Sequence, residues 1–430
     1  MVSVSSVTPH RVETGQLRSN HRWKVLGIGV VANACFSATF SGIPTTAVFM
    51  RVGYHLDNSK LGFVLGLMGL GVAVSELPWG LLTDRWGDRG VLLTGLAAMS
   101  AWLFLMAFAV VPSADFVPGI VPLAVGLLVT GLLGGSVNGS SGRAIMAWFQ
   151  EGERGFAMSV RQTAIPLGGG LGALLLPSLA SAYGFAAVYG LLAAFSAMTV
   201  LFAWLWLHQP QAAENRPPAD CEKPASAKPA VLHDVTIWRI SIAIGILCFP
   251  QVAILTFAVI FLHDFGGAGT AVSSATIAAV QVGAMVMRVW SGHWTDRKGN
   301  RRAYLRFCSM LSTVAFVGLA LLVAASAEIP DIKDAALPAT IAVLVLAGIS
   351  ISSWHGVAYT ELATLAGASR AGTALGLANS FVFIAFFLVP IAIPWLLAFL
   401  SWAGVWLCAA VCALVAWPIF LPPAAGRNEA

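Results

Sequence analysis

GLLTDRWGDR, residues 80–89, returns later in the chain as GHWTDRKGNR, residues 292–301. Both copies place Thr-Asp-Arg after a glycine-led apolar stretch and close on Gly-x-Arg. A second echo sets Trp23-Lys24 against Trp238-Arg239. Both offsets are close to half of the 430 residues, so the chain reads as two copies of one unit. Between them, residues 209–235 are rich in Pro, Ala and charge and lack apolar periodicity, which predicts a flexible linker. Paired halves of this kind suit two bundles that rock about a central site.

Each copy of the motif lies between long apolar stretches. The composition is 58% hydrophobic and 10% charged, with a mean hydropathy of +0.82, far outside the range of soluble domains. Twelve stretches long enough to span a bilayer as helices fall near 25–50, 61–83, 90–111, 119–147, 155–180, 184–208, 236–262, 271–294, 303–325, 338–361, 371–396 and 400–422. In lipid a helix satisfies its own backbone, and uninterrupted runs such as 191–207 do not alternate as barrel strands would. The predicted fold is all-α, a polytopic membrane protein with twelve transmembrane helices in two pseudo-symmetric six-helix bundles. Its parts are a tail (1–24), a first bundle (25–208), the linker (209–235), a second bundle (236–422) and a second tail (423–430).

Of the 24 Lys and Arg residues, Arg51, Lys60 and Lys333 fall on one face of this arrangement and Arg143, Arg161 and Arg288 within helices, which leaves 18 on the other face. The positive-inside rule then puts both termini in the cytoplasm, here of a bacterial inner membrane. The basic N-terminal segment (Arg11, Arg18, Arg22, Lys24) leads directly into a long apolar helix, so no cleaved signal is expected. The net charge of +5 reflects these loops and not a nucleic-acid partner. The six cysteines lack metal-ligand spacing and read as packing residues. Neither a Walker motif nor a nucleophile–base pair is present, so no cofactor, metal or enzymatic activity is expected.

The repeated segment resembles the G-x-L-a-D-r-x-G-r-k loop motif of the major facilitator superfamily, whose second, degenerate copy also follows helix 8. The resemblance implies a secondary transporter that works as a monomer. It further implies that Gly80, Asp84, Arg85 and Arg89, with Asp296 and Arg297 in the second copy, form a gate closed in the outward-facing state. Plain positive-inside anchoring is the alternative for Arg89. Small residues at Gly62, Gly66, Gly372 and Gly376 would let the bundles close tightly.

Four charged residues lie inside apolar helices, where each costs about 2.5–3.5 kcal/mol on insertion scales: Glu76, Arg143, Arg161 and Arg288. Counted at 1.5 Å per residue, all four lie roughly 10–12 Å in from the cytoplasmic end. They fall on helices 2, 4, 5 and 8, while spans 3, 6 and 12 are free of charge; in the family fold spans 3, 6, 9 and 12 face lipid. Three cations and one carboxylate give a chamber that attracts an anion. Arginine also suits planar recognition of carboxylate or sulfonate. Asn33, Gln251, Gln281, His355 and Asn379 extend the candidate binding surface, although an interhelical hydrogen bond is an equal reading for each lone amide. Arg143 has the alternatives of snorkelling or pairing with Glu153.

The segment WFQEGERGFAMSVRQTAIPLGGG (148–170) resembles the W-F-x-x-x-E-R-G-x-A loop of anion symporters in the superfamily. Its Pro166, Gly169 and Gly170 also resemble a motif of drug/proton antiporters, but Arg161 and Ile165 replace that motif's first two glycines. The expectation is proton-coupled uptake of a small organic anion, with Glu76 carrying the proton. The alternatives are drug/proton exchange and a non-transporting membrane receptor.

Overall fold

A computed structural model describes residues 10–113, 116–208, 231–328 and 333–421. Residues 1–9 of the first tail, residues 209–230 of the linker with Cys221, and the tail 423–430 lie outside the described residues. Every long element described is an α-helix. The first half comprises α1 (His10–Phe40), α2 (Ala47–Gly53), α3 (Asn58–Trp86), α4 (Asp88–Ala109), α5 (Ile120–Gly134), α6 (Ser136–Trp148) and α7 (Arg154–Trp206). The second comprises α8 (Val235–Gly266), α9 (Thr270–Lys298), α10 (Arg301–Glu328), α11 (Lys333–Ser352), α12 (His355–Ala366), α13 (Ala371–Phe399) and α14 (Trp402–Ile419).

Eleven of the described helical stretches are long and apolar enough to cross a membrane, with α1–α2, α5–α6 and α11–α12 each acting as one broken crossing. The 53 residues of α7 would extend about 80 Å at 1.5 Å per residue, far more than a hydrocarbon core of about 30 Å. They form two crossings that meet at Gly184, whose φ of 73° and ψ of −174° only glycine adopts without strain. This makes twelve.

The bilayer explains what the outer surface exposes. Phe108, Leu174, Val314, Leu321 and Phe399 are all more than three-fifths exposed, which suits contact with lipid and would be an aggregation liability in water.

Buried side chains form two large cores, one per half. The first gathers Leu92, Leu96, Leu127 and Tyr189, and the second Phe261, Phe316, Trp354 and Trp406. Phe383 of α13 belongs to the first core, and Met146 and Met158 of the first half belong to the second. Those three side chains mark where the halves meet. There α3 lies along α13, and α7 along α9.

At the α3–α13 seam the backbones touch. A Cβ at Gly80 would collide with the Gly372 carbonyl oxygen, and one at Gly376 with the Glu76 carbonyl oxygen. The tight seam therefore falls at Gly80, Gly372 and Gly376. Gly62 faces open space and Gly66 only the ring of Phe387, because α3 diverges from α13 toward its N-terminus.

Candidate functional site: a latched end and a buried polar chamber

At the end where α3, α6 and α9 finish and α7 and α13 begin, two aspartates cross between the halves. Asp84, near the end of α3, accepts hydrogen bonds from the backbone N–H groups of Gly372 (2.9 Å) and Thr373 (2.7 Å), in the first turn of α13. Asp296, near the end of α9, accepts from Gly155 (3.0 Å) and Phe156 (2.8 Å), in the first turn of α7. First-turn N–H groups have no acceptor within their own helix and carry the positive end of its dipole, so a carboxylate satisfies both needs. Each motif thus caps a helix of the opposite half. Gly155 and Gly292 approach as closely there as Gly80 and Gly372 do at the other seam.

Arginines brace both caps. Arg143 Nε stands 3.4 Å from Asp84 Oδ1, and Arg143 Nη1 donates to Asp88 Oδ1 at 2.7 Å. Arg301 Nη2 stands 3.2 Å from Asp296 Oδ1, whose side chain is 1% exposed. Two further pairs lie at this end, Arg22 with Glu153 at 2.5 Å and Arg302 with Glu361 at 2.7 Å.

This placement differs from three expectations. Arg143 pairs with Asp84 and Asp88, because its long side chain reaches the α3–α4 junction and not the Glu76 cluster; Glu153 pairs with Arg22 instead. Arg85 and Arg297 are exposed, since the residue after each aspartate is rotated about 100° around the helix, away from the facing half. Arg89 donates to the Trp204 carbonyl (3.0 Å) within its own half. The cations that brace the aspartates are therefore Arg143 and Arg301.

Further from this end lies a buried cluster of polar side chains. Glu76, fully buried on α3, accepts from Asn138 Nδ2 of α6 (2.6 Å) and from Asn379 Nδ2 of α13 (3.4 Å). Tyr359 Oη of α12 donates to Asn379 Oδ1 (2.6 Å), which turns the Asn379 amide nitrogen toward Glu76. Arg161 of α7, 1% exposed, donates through Nε to Ser141 Oγ (3.0 Å) and through Nη2 to the Asn138 carbonyl (2.7 Å). Asn33 of α1 donates to the same Ser141 Oγ (2.9 Å), and its own Oδ1 is buried without a donor.

Arg288 of α9, 2% exposed, reaches across the interface. Its Nη1 donates to the Gln162 carbonyl of α7 (2.9 Å) and its Nε to the Ser352 carbonyl (2.8 Å), which lies at the break between α11 and α12. The same Ser352 carbonyl lies 3.1 Å from His355 Nδ1, and the His355 ring stacks on Trp354 at 3.8 Å. Tyr359 lies within electrostatic reach of Arg161, Arg288 and Glu76 together.

Neither Arg161 nor Arg288 forms an ion pair among the described residues, and every acceptor of their hydrogen bonds is neutral. Glu76 lies within electrostatic reach of Arg161, each bonded to Asn138, so the guanidinium buried without an anion beside it is that of Arg288, which is costly. Of the other expected binding residues, Gln251 is buried beside Cys248, 4.0 Å from its sulfur. Gln281 is half-buried and points to no hydrogen-bond partner among the described residues. Sequence reasoning missed Ser141, which joins Asn33 to Arg161, and Asp88, whose position inside the loop motif was the available signal.

The Major Facilitator Superfamily family model matches residues 29–388. An uncharacterized MFS-type transporter of Mycobacterium tuberculosis is 27% identical over 364 residues, covering 84% of this chain and 76% of that protein. A probable chloroplastic anion transporter of Arabidopsis thaliana is 25% identical over 200 residues, covering 46% of this chain and 36% of that one. Among solved structures, the proton:xylose symporter XylE superposes with a TM-score of 0.78 at 14% identity, covering 93% of this chain and 95% of that one. FucP in its outward conformation gives a TM-score of 0.67 at 14% identity, covering 92% and 97%.

Proposed function

Because the chain belongs to the Major Facilitator Superfamily, and so is a multi-pass transporter of small solutes and not an enzyme, we propose that it takes up a small organic anion, a carboxylate or sulfonate, together with a proton. The observation that carries this reading is the pair of buried guanidiniums, Arg161 and Arg288, neither of them in an ion pair among the described residues: Glu76 reaches Arg161 only through Asn138, and Arg288 has neutral acceptors alone. Arg161 belongs to the first half and Arg288 to the second, so one acid group that bridges them draws the halves together. The name of the Arabidopsis relative, a probable anion transporter, agrees with this chemistry.

Glu76 is the proton carrier in this proposal. It is the carboxylate of the chamber, bonded only to amide groups, one from each half. Asp84 and Asp296 latch the cytoplasmic end while the site faces outward, and release of both caps opens it inward. The distribution of Lys and Arg supports cytoplasmic termini, and the mycobacterial relative supports a bacterial inner membrane. Since one chain contains both halves, a monomer suffices.

The test is reconstitution into proteoliposomes with a panel of labelled carboxylates and sulfonates. A pH gradient, acid outside, should drive accumulation of at least one of them. Glu76→Gln should abolish that accumulation while sparing exchange of labelled for unlabelled substrate. Loss of both activities would make Glu76 a structural group, and transport of neutral compounds alone would overturn the anion reading.

A further inference from the structure

Two helices of opposite halves carry the same pattern on the faces they turn toward each other. On α1, Asn33 is followed by Phe36 and Phe40; on α13, Asn379 is followed by Phe383 and Phe386. Steps of three or four and then seven residues keep each set on one helical face. Both helices run away from the latched end, so in each the amide lies in the polar layer and the rings lie one to two turns, about 5–11 Å, beyond it.

The rings meet across the interface. Phe40 stands edge-on to Phe383 at 5.0 Å and to Phe386 at 5.7 Å, and Phe36 edge-on to Phe383 at 5.7 Å. Within each helix, Phe36 and Phe40 are 5.6 Å apart and Phe383 and Phe386 5.7 Å apart. Phe36 and Phe383 are nearly fully buried. The polar layer that holds Arg161 and Arg288 is therefore followed, along the interface of the halves, by a layer of four packed rings.

We infer that the substrate is an amphipathic monoanion, with one acid group on Arg161 and Arg288 and an aromatic or branched apolar body against Phe36, Phe40, Phe383 and Phe386. This rests on the anion reading proposed above and adds what that reading leaves open, the rest of the molecule. The rise of about 5–11 Å from the amide layer to the rings matches the length of one ring or a short branched chain. A second acid group there would lie among ring carbons without a hydrogen-bond donor, which is strongly unfavourable, so dicarboxylates are disfavoured. A body matched to an apolar pocket gains discrimination of roughly 10- to 200-fold per well-packed group.

The experiment measures binding of phenylacetate, acetate, succinate and the neutral probe benzyl alcohol to purified full-length protein in nanodiscs by isothermal titration. Phenylacetate should bind at least about tenfold more tightly than acetate or succinate. Phe383→Ala should bring phenylacetate down to the affinity of acetate, and Phe383→Leu, which keeps an apolar side chain and guards against a folding defect, should retain part of the preference. Equal affinities for the three acids, or a preference that survives both substitutions, would overturn the inference while leaving the anion reading intact. Binding of benzyl alcohol with none of the acids would overturn the anion reading itself.

Discussion

Replacing Asp84 with asparagine keeps the size of the side chain and removes its charge. In the latched end, Asp84 uses both carboxylate oxygens, one for the Gly372 N–H and one for the Thr373 N–H. Asparagine offers one oxygen and one NH2 group, so one of those N–H groups would face another donor. Hydrogen bonds to charged groups contribute about 1.5–3 kcal/mol each, and an anion in a partly buried position at a helix N-terminus up to about 2 kcal/mol. These contributions overlap, because the same charge makes both. A loss of about 3 kcal/mol for the latched state is the reasonable sum, and at 1.4 kcal/mol per decade it shifts the balance of latched and open states about 100-fold.

Two assays read this shift. Initial-rate uptake in proteoliposomes should fall at least about tenfold while expression and membrane insertion stay near wild type. Spin labels at Arg85 and Ser369, exposed positions on opposite halves at the latched end, should report a longer mean separation in Asp84→Asn. Wild-type flux with an unchanged distance distribution would show that the cap does not hold the end closed, and the reasoning would fail.

Other substitutions probe separate parts of the argument. Arg288→Lys keeps the charge but cannot reach the Gln162 and Ser352 carbonyls and an acid group with one fixed fork, so affinity for a carboxylate substrate should fall at least about tenfold; titration decides it. Gly372→Val would drive side-chain carbons into Asp84 and the Gly80 backbone, and the spin-label distance at the latched end should lengthen as in Asp84→Asn. At the opposite end, Asp57 accepts from the Lys60 N–H (2.7 Å) at the start of α3, and this bond holds its carboxyl below the usual value. The lowered group adds stability above its unfolded pKa, near 4, that disappears as pH falls through the folded value, so Asp57→Ala should lower Tm at neutral pH and make no difference in strong acid.

Depth along a helix was legible in the sequence, and rotation about its axis was not. Counting residues from Asp84, Arg154 and Asp296 placed Glu76, Arg161 and Arg288 well inside their helices, and all three side chains are nearly inaccessible. The same count put Arg143 beside them, yet its side chain turns to Asp84 and Asp88, because the angle at which α6 meets the α3–α4 junction is set by packing against other helices. The spacing of Asp84 and Asp296 within the repeats marked both as special. What they bind could not be read, since the partners are backbone N–H groups that any residue supplies. Ser141 carried no signal at all: a serine in a small-residue run gains its meaning only when Asn33 and Arg161 arrive from elsewhere in the chain. The break at Ser352, whose carbonyl receives Arg288, falls in the serine-rich run 349–355 between Gly348 and Gly356, a weak local signal that is equally compatible with an unbroken helix.

The helices that the aspartates grip are also the helices that carry the site. Asp296 holds the first turn of α7, and Arg161 lies two turns further along it; Asp84 holds the first turn of α13, and Asn379 lies two turns along that one. Each cap is therefore the pinned end of a lever about 10 Å long, and a tilt of 10° about the pin moves the far residue by about 2 Å. Two ångströms is enough to break the 2.7 Å bond from Arg161 to the Asn138 carbonyl. In the proposed mechanism, the movement that opens the capped end is thereby coupled to the geometry around Arg161 and Asn379.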